Sequence, residues 1–539
     1  MIRLSKPLLC GLAGLLAGAS AAAQSPSPAP APVAAAPAAQ EPAFDIWEYE
    51  IEGNTVLGVE AIEAAVRDHL GPDRSMKDVD AARNALEAAY QKAGYLTVLV
   101  DVPEQRVDGG IVLLQVIEGQ VGGLYVTGSR YHSQGYIRNA VTGLAPGTVP
   151  NFNEVQQQLA LVNRTEDRRV QPVLKPGRLP GTVDVELQVN DEFPISGSVE
   201  INNQHSRDTD PARVSATVRY DNLFQRDHSL SLTAITAPTE PSQSQVLVAN
   251  YGIPLEGANS WSASLVWSNS DVETLGSTQV ISRGTTFSLR RYIAFGRADG
   301  SRLLSLGFDL KNTKERSAFD TPVRYMPFQL GYTDQWAIGA DRLQVNANVA
   351  FAIASLLKRD VPCPSGVNPE AQADQFACKR FGASGSFGAF KLDSRWFHPL
   401  GPAMLVTRLG LQIASGPLIS AEQYSLGGAD TVRGYLEGEA SGDHGVLGSL
   451  ELRAPNLASS FGEFWRDVTP LAFLDVANAV TLQPLPGQAS RTPLLGSGVG
   501  LRLATRGLEA SLDFARAAKA TAATDAGNWR LHARLLARF

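Results

Sequence analysis

The strongest constraint on the fold of this chain is the two-residue period of its hydrophobic pattern between Pro194 and Phe539. Helical spacing disappears after Pro194, and short runs place an apolar side chain at every second position. This period is typical of β-strands whose two faces meet different environments. Clear cases are the apolar residues Val214, Ala216, Val218 and Tyr220; Trp261, Ala263, Leu265 and Trp267; Leu304, Leu306, Phe308 and Leu310; Leu343, Val345, Ala347, Val349 and Phe351; and Trp529, Leu531, Ala533, Leu535, Ala537 and Phe539.

The polar faces of these strands indicate where the apolar faces point. A water-soluble sandwich also alternates, but here arginines and amides fill the polar face over many strands, which suits a wet interior. Short turns alternate with longer polar loops, and the last strand ends at Phe539. This combination is typical of an outer-membrane barrel that is apolar towards lipid and polar towards water. No run after the N-terminal segment is long and apolar enough for a membrane helix, so we expect any membrane span to be a closed sheet.

The number of alternating runs predicts the size of the barrel. We count sixteen runs between residues 194 and 539 and predict an all-β transmembrane barrel of 16 antiparallel strands over residues 193–539. A barrel of this size has room for an aqueous channel. The even count places both ends of the barrel segment on the periplasmic side.

The N-terminal residues predict export. Residues 1–23 have Arg3 and Lys6, an apolar stretch and then alanines 21–23, as in a signal peptide, and they are too short for a membrane anchor. Residues 24–43 form a leader rich in proline and alanine, which we expect to be an extended spacer. Because no helical pattern occurs in it, we expect no plug helix from this end.

Two small repeats separate the leader from the alternating region. Residues 44–118 and 119–192 each have the order strand, helix, helix, strand, strand. Helical spacing predicts an apolar face of Val59, Ile62, Val66 and Leu70 in the first repeat. Capping patterns, Ser75 with Asp78 and Asn151 with Glu154, open the second helix of each repeat. The repetition predicts two tandem α+β domains of three strands and two helices.

Cysteine content and charge narrow the classes of function. Cys363 and Cys378 are the two cysteines outside the signal peptide, and in an exported chain they predict a disulfide. The alternative is a metal site, but no histidine lies nearby to complete its ligands. The net charge of −7 argues against a nucleic-acid partner. Histidines are scattered and no hydrolase, zinc-protease or phosphate-loop motif occurs, so we expect no enzyme, catalytic residue, cofactor or metal. The glycine-rich 496–500 lies in a predicted strand, where small lumenal residues explain it better than a nucleotide loop.

One segment, GGADTVRGYLEGEASGD at 427–443, presents a single arginine at a tight glycine-rich turn. It lies in the connection 421–445 between predicted strands eleven and twelve, on the outer side. Gly427, Gly428 and Gly434 allow a hairpin tip, and Arg433 would need an anion if buried. We therefore expect the loop to fold back into the lumen.

The anion for Arg433 is sought on a neighbouring strand. In TPLAFLDVANAV, residues 469–480, Phe473, Asp475 and Ala477 share one face. Because the lipid side cannot accept a carboxylate, Asp475 must face the lumen. A bidentate Arg433–Asp475 pair would fix the loop tip to the wall. The alternative is that Arg433 lies in a solvated loop and Asp475 only polarises the channel.

These motifs resemble those of the transporter component of two-partner secretion systems, the haemolysin/haemagglutinin secretion-activation family, in the superfamily of outer-membrane barrel insertases. Val432, Arg433, Gly434 and Tyr435 resemble its V-R-G-Y loop motif, and SGDHG at 441–445 is similar to the stretch that follows. Phe473 and Asp475 resemble its F-x-D-x-G wall motif, with Ala477 in place of glycine. Segment 174–187 is similar to part of the family's second domain, and the resemblance extends from Phe44 to Phe539.

The resemblance implies a function in protein export. It implies two POTRA domains in the periplasm, a sixteen-strand barrel in the outer membrane and a lumenal loop. The implied partners are a large secreted protein, similar to haemagglutinins, haemolysins or adhesins, in extended form; outer-membrane lipid; and the barrel-assembly machinery, through the C-terminal strand ending at Phe539. The alternative is an insertase of other barrels, which two repeats favour less than a longer array would. A diffusion porin leaves the two N-terminal domains unexplained.

Overall fold

The structure is a computed structural model that describes residues 43–255, 257–270, 273–275, 278–280, 283–296, 301–314, 323–363 and 372–539. The predicted signal peptide and nearly all of the leader lie outside the described residues. The chain divides into two compact units: the smaller ends at Gln115, and the larger holds Val116–Phe539 together with Gly53–Leu57 and Glu87–Leu99. Within the described residues, no helix has the length and apolar character that a membrane crossing requires.

The first repeat forms a three-stranded sheet with two helices. Its elements are β1 (Phe44–Ile46), β2 (Glu48–Glu52), α1 (Val59–Val66), β3 (Gly71–Arg74), α2 (Met76–Lys92), β4 (Val98–Asp101) and β5 (Ile111–Glu118). The sheet order is β2-β5-β4, with β2 parallel to β5, and the short β1 and β3 form a separate antiparallel pair. Ile62 and Val66 of α1 are buried, whereas Val59 is 66% exposed because it is the first residue of that helix. The prediction of Val59 as part of the apolar face was therefore wrong.

The second repeat has the same order of elements. They are β6 (Gln120–Thr127), α3 (Gln134–Ala140), α4 (Phe152–Val162), β7 (Arg168–Pro176) and β8 (Thr182–Asp191). The sheet order is β6-β8-β7, with β6 parallel and β7 antiparallel to β8. Asn151 caps α4 by accepting hydrogen bonds from the backbone N–H groups of Asn153 and Glu154. Aliphatic side chains of both helices and all three strands form the core of this domain.

The remaining chain forms a closed barrel of sixteen antiparallel strands, which confirms the predicted fold class. Barrel strands 1 to 16 are Ile195–Asn202, Arg213–Leu223, His228–Thr236, Gln245–Pro254, Ser260–Ser268, Arg283–Gly296, Ser301–Lys314, Phe328–Ile338, Asp341–Ala352, Phe387–Leu400, Ala403–Ala414, His444–Arg453, Asp467–Val480, Arg491–Ala504, Leu508–Ala517 and Trp529–Arg538. Strand 16 pairs with strand 1 and closes the sheet, Arg534 lying opposite Asn202 and Arg538 opposite Ser198.

Additional short elements lie in the connections. Strand pairs are Glu273–Leu275 with Thr278–Val280, Asp360–Pro362 with Gln372–Asp374, and Tyr424–Leu426 with Ala440–Gly442, while Val323–Tyr325 pairs with the outer part of strand 7. Single 3-10 turns occupy Arg67–His69, Thr142–Leu144, Pro241–Gln243, Ala354–Leu356, Ser420–Glu422 and Ala458–Ser460. Connections after odd-numbered barrel strands lie at the end of the barrel away from the second domain, here called the outer end. The longest of these with every residue described joins strand 11 to strand 12.

Burial along the strands distinguishes the face of the barrel that points outward from the face that points into the lumen. On strand 13, Leu474 and Val476 are exposed on the outside of the barrel, whereas Phe473, Asp475 and Ala477 are buried inside it. Strand 16 likewise exposes Trp529, Leu531 and Leu535. The apolar face therefore points outward and the polar face inward, as a membrane barrel requires.

Candidate functional site: the lumenal loop

The connection between strands 11 and 12, residues 415–443, folds into the barrel and is called the lumenal loop below. The strand pair Tyr424–Leu426 and Ala440–Gly442 forms its stem. Gly427, Gly428 and Gly434 have φ angles of 102°, 105° and 98°, a left-handed conformation that disfavours other residues. The tip therefore turns tightly enough to direct Arg433 at the barrel wall.

Arg433 is 6% exposed and makes a bidentate ion pair with Asp475. Its Nε donates to Asp475 Oδ2 at 2.8 Å and its Nη2 to Oδ1 at 2.9 Å. The backbone N–H of Arg433 also donates to Oδ2 at 3.1 Å. Asp475 is 0% exposed and accepts a further hydrogen bond from Ser449 Oγ at 2.6 Å. The carboxylate thus receives both the side chain and the backbone of the tip residue.

Phe473 supports the same guanidinium from one face. The Cζ atom of Arg433 lies 3.4 Å from the centroid of the Phe473 ring, in cation–π geometry. A cation over an aromatic face is stabilised by about 0.5–2 kcal/mol, more where water is excluded. Both wall residues of the sequence motif therefore contact the arginine of the loop motif.

Two further carboxylates complete the surroundings of Arg433. Its Nη1 donates to Glu451 Oε2 at 2.8 Å and lies 3.7 Å from Asp513 Oδ1. Two other arginines neutralise them, Arg453 pairing with Glu451 at 2.7 Å and Arg502 with Asp513 at 2.9 Å. Three cations thus face three carboxylates, and the site carries no net charge. Sequence reasoning identified neither acidic residue as a contact of Arg433.

The residues beside Arg433 fix the tip to other strands. Val432 and Tyr435 are fully buried in a cluster with wall residue Ala477, and the Tyr435 hydroxyl lies 2.9 Å from the carbonyl oxygen of Lys519. The methyl group of Ala477, where related motifs have glycine, is accommodated in this cluster. The backbone N–H of Gly434 donates to Nε2 of His532 on strand 16 at 2.9 Å. The sequence analysis did not predict His532 as part of this site.

Gly496 on strand 14 makes room for the tip. A β-carbon at this position would lie 2.0 Å from the carbonyl oxygen of Arg433. The first glycine of segment 496–500 therefore has a structural purpose, because it lets the loop backbone approach the wall.

The two cysteines lie away from this site. Cys363 and Cys378 form a disulfide in the outer connection between strands 9 and 10, with Cα atoms 4.8 Å apart. The bond closes a ring that includes undescribed residues 364–371.

Fold and site together define a class: outer-membrane transport barrels preceded by periplasmic POTRA domains, with an inward-folded loop. The chain belongs to the haemolysin secretion/activation protein family, ShlB/FhaC/HecB, whose model matches residues 181–503. A ShlB-type POTRA domain model matches residues 44–119. The chain is accordingly a transporter of two-partner secretion in the bacterial outer membrane, with its POTRA domains in the periplasm and a large secreted protein as its partner.

Comparison with individual proteins agrees with this assignment. The outer membrane transporter CdiB of Dickeya dadantii (strain 3937) is 22% identical over 438 residues, which cover 77% of this chain and 73% of the relative. The structure of CdiB from Escherichia coli superposes with a TM-score of 0.69 at 18% identity, covering 93% and 91% of the two chains. BamA from Haemophilus ducreyi lacking POTRA domains 1–3 shares the fold at a TM-score of 0.54 and 14% identity, covering 92% of this chain and 100% of that structure. The family match favours export over the insertase alternative.

Proposed function

We propose that this transporter receives an extended partner protein at its POTRA domains, and that the lumenal loop is the element that must move to let the partner pass. The observation that carries the proposal is the buried Arg433–Asp475 pair, which fixes the loop tip to the wall. Removing one partner of a buried ion pair costs about 3–5 kcal/mol, enough to hold or release a loop. Val432, Gly434, Tyr435 and Phe473 position the tip.

The position of the loop supports a role as an obstruction. On one side, Arg408 of strand 11 donates to the carbonyl oxygen of Asp430. On the other side, Gly434 binds His532 of strand 16. The loop therefore occupies the lumen along the wall formed by strands 11 to 16, where a passing polypeptide would have to displace it.

The inner wall suits an unfolded passenger. Inward-facing charges are paired with each other, as in Arg290–Asp309 at 2.6 Å and Arg408–Asp393 at 2.6 Å. On the periplasmic side of the tip, charged side chains of both signs line a cavity of about 630 Å³, among them Glu200, Arg395, Arg453, Arg502, Glu509 and Arg534. Such a surface offers a passing chain no extended apolar patch to bind.

A free sheet edge in the first domain, residues 44–118, supports partner recognition. Strand β4 is an edge strand, and Leu96 and Leu99 beside and within it are exposed. Beyond the end of β4, the side-chain amide of Gln105 occupies the edge of β5, donating to the carbonyl oxygen of Leu113 at 2.8 Å and accepting from its N–H at 2.7 Å. A partner strand could replace such a contact with backbone hydrogen bonds that tolerate varied sequence. The second domain, residues 119–192, would extend this binding.

Assembly and lipid contact belong to the same proposal. Strand 16 exposes Trp529, Leu531 and Leu535 outward, and Phe539 follows it at 73% exposure. We expect lipid to cover this face, and we expect the barrel-assembly machinery to recognise the strand that ends at Phe539.

Charge reversal of the ion pair tests the proposal. Arg433→Asp and Asp475→Arg should each reduce export of the genetically linked partner protein at least tenfold, because each leaves like charges buried together. The double variant should recover only part of the export, since the carboxylate introduced at position 433 would face Glu451 and Asp513. Export is measured in the medium, and assembly by heat-modifiable migration in electrophoresis.

Arg342→Asp, which changes an exposed arginine on strand 9, is the matched control and should export normally. If assembled single variants export as well as this control, Arg433 and Asp475 have no role in transport.

A further inference from the structure

A second buried ion pair holds the outer base of the lumenal loop. Asp443 is the last residue of the loop before strand 12 and is 0% exposed. Both of its carboxylate oxygens accept from Arg380, Oδ2 from Nη2 at 2.6 Å and Oδ1 from Nη1. Arg380 belongs to the connection between strands 9 and 10, so this pair joins two outer connections.

A third outer connection, between strands 13 and 14, also contacts the Arg380–Asp443 pair. Asp443 accepts from the backbone N–H of Leu418, in the lumenal loop, at 2.8 Å and from that of Leu482, between strands 13 and 14, at 2.7 Å. Arg380 in turn donates to the carbonyl oxygens of Leu418 and Leu482, the latter at 2.9 Å. One arginine therefore binds the beginning and the end of the lumenal loop at once.

The turn that carries Arg380 is itself firmly held. Phe376 is buried against Tyr325 and Phe387, with ring centroids 5.3 and 6.2 Å away. The buried side chain of Gln375 makes two hydrogen bonds to the backbone of Arg324. Its Oε1 accepts from the N–H of Arg324 at 2.9 Å, and its Nε2 donates to the carbonyl oxygen of Arg324 at 2.7 Å. Cys378, two residues before Arg380, is one end of the disulfide. The arginine is thus presented by a packed turn and is not a mobile surface side chain.

We propose that Arg380 is a positioning residue for the lumenal loop: it holds the base of the loop as Asp475 holds the tip, and its release from Asp443 is a separate step in opening the pore. This inference rests on the proposed movement of the loop and assigns part of its control to the outer connection between strands 9 and 10. The tip would be released by contact with the partner from inside, whereas the base is controlled from the outer end.

The test is channel recording of the purified full-length protein in planar lipid bilayers. Arg380→Met removes the cation and four hydrogen bonds of the guanidinium, so channel openings should become at least about tenfold more frequent, as expected when a buried carboxylate loses its partner. Arg359→Met, which changes an exposed arginine in the same connection, should record like the unaltered protein. Arg380→Lys keeps the charge but cannot reach both carbonyl oxygens and should give an intermediate frequency.

The outcomes separate this inference from the proposed function. If Arg380→Met and Arg380→Lys both record like Arg359→Met while Arg433→Asp opens the channel, Arg380 does not position the loop and the proposed function stands. If Arg433→Asp also records like the control, the proposed function fails with it. Should Arg380→Met fail to assemble, Arg380→Lys decides alone, and a frequency equal to the control overturns the inference.

Discussion

At the residue scale, the glycine-rich turn predicted Arg433, and alternation along strand 13 predicted Asp475 as its partner on the wall. Asp475 has to face inward because its neighbours Leu474 and Val476 face lipid, and this follows from sequence alone. Glu451, Asp513 and His532 could not be found in this way. They lie on strands 12, 15 and 16, and which residue of each strand comes level with the loop tip depends on strand register and tilt around the closed barrel.

A prediction at this scale concerns Gly496. Gly496→Ala would place a methyl group against the carbonyl oxygen of Arg433, and the wall there is backbone that cannot yield easily. Overpacking of this kind costs about 1–3 kcal/mol, so the tip should be displaced and channel openings in lipid bilayers should become more frequent.

Gly416→Ala is the matched control for this variant. Gly416 lies in the same loop, and a β-carbon there meets nothing within 4 Å. Equal opening frequencies for the two alanine variants would show that Gly496 does not determine the position of the loop tip against the wall.

At the element scale, the repeats predicted the order of strands and helices in both domains, but they did not predict how the second domain is attached to the barrel. That attachment depends on single side chains. Arg168 of β7 is fully buried and pairs with Asp227 in the turn between strands 2 and 3, at 3.0 and 2.8 Å. The carbonyl oxygen of Tyr131 accepts from Asn222 near the same turn at 3.1 Å. The strands β1 and β3 were also missed, because three or four residues carry no periodic signal.

We expect the stability of the second domain beside this attachment to depend on pH through His132. It is buried between Asp167 and Asp191, with ring nitrogens 3.1 Å from a carboxylate oxygen of each. Burial acts to lower the pKa of His132, but the hydrogen bonds to the two carboxylates outweigh it and leave the pKa raised above 6.5. A raised pKa in the folded state means that His132 contributes stability in full below pH 6.5 and loses it as the pH rises through the raised value.

Hydrogen exchange of the full-length protein measures this dependence. After correction for intrinsic exchange rates, the segment 129–133 should be better protected below pH 6.5 than at alkaline pH. In His132→Gln, which cannot titrate, the difference should vanish. A pH-dependent difference of equal size in both proteins would rule out His132 as its source.

At the scale of the whole molecule, strand number, closure and membrane orientation followed from the alternation and the even count. The barrel, the two repeats and the loop and wall motifs also predicted the family, because a porin needs no such domains and two repeats favour an insertase less than a longer array would. The pattern did not predict the path through the lumen. The loop occupies it through contacts with strands 11, 13 and 16, which are separated in sequence.

The central claim is that the lumenal loop must move for the partner to pass, and a covalent tether tests it most directly. Glu439 of the loop accepts hydrogen bonds from Thr521 and Thr524 of the connection between strands 15 and 16, the latter at 2.8 Å. A short thiol-reactive cross-linker can therefore join Glu439→Cys to Thr521→Cys, with each single-cysteine variant treated in the same way as a control. Export of the partner protein should stop in the tethered double variant and continue in both controls. Export from the tethered protein at the rate of the controls would contradict the account.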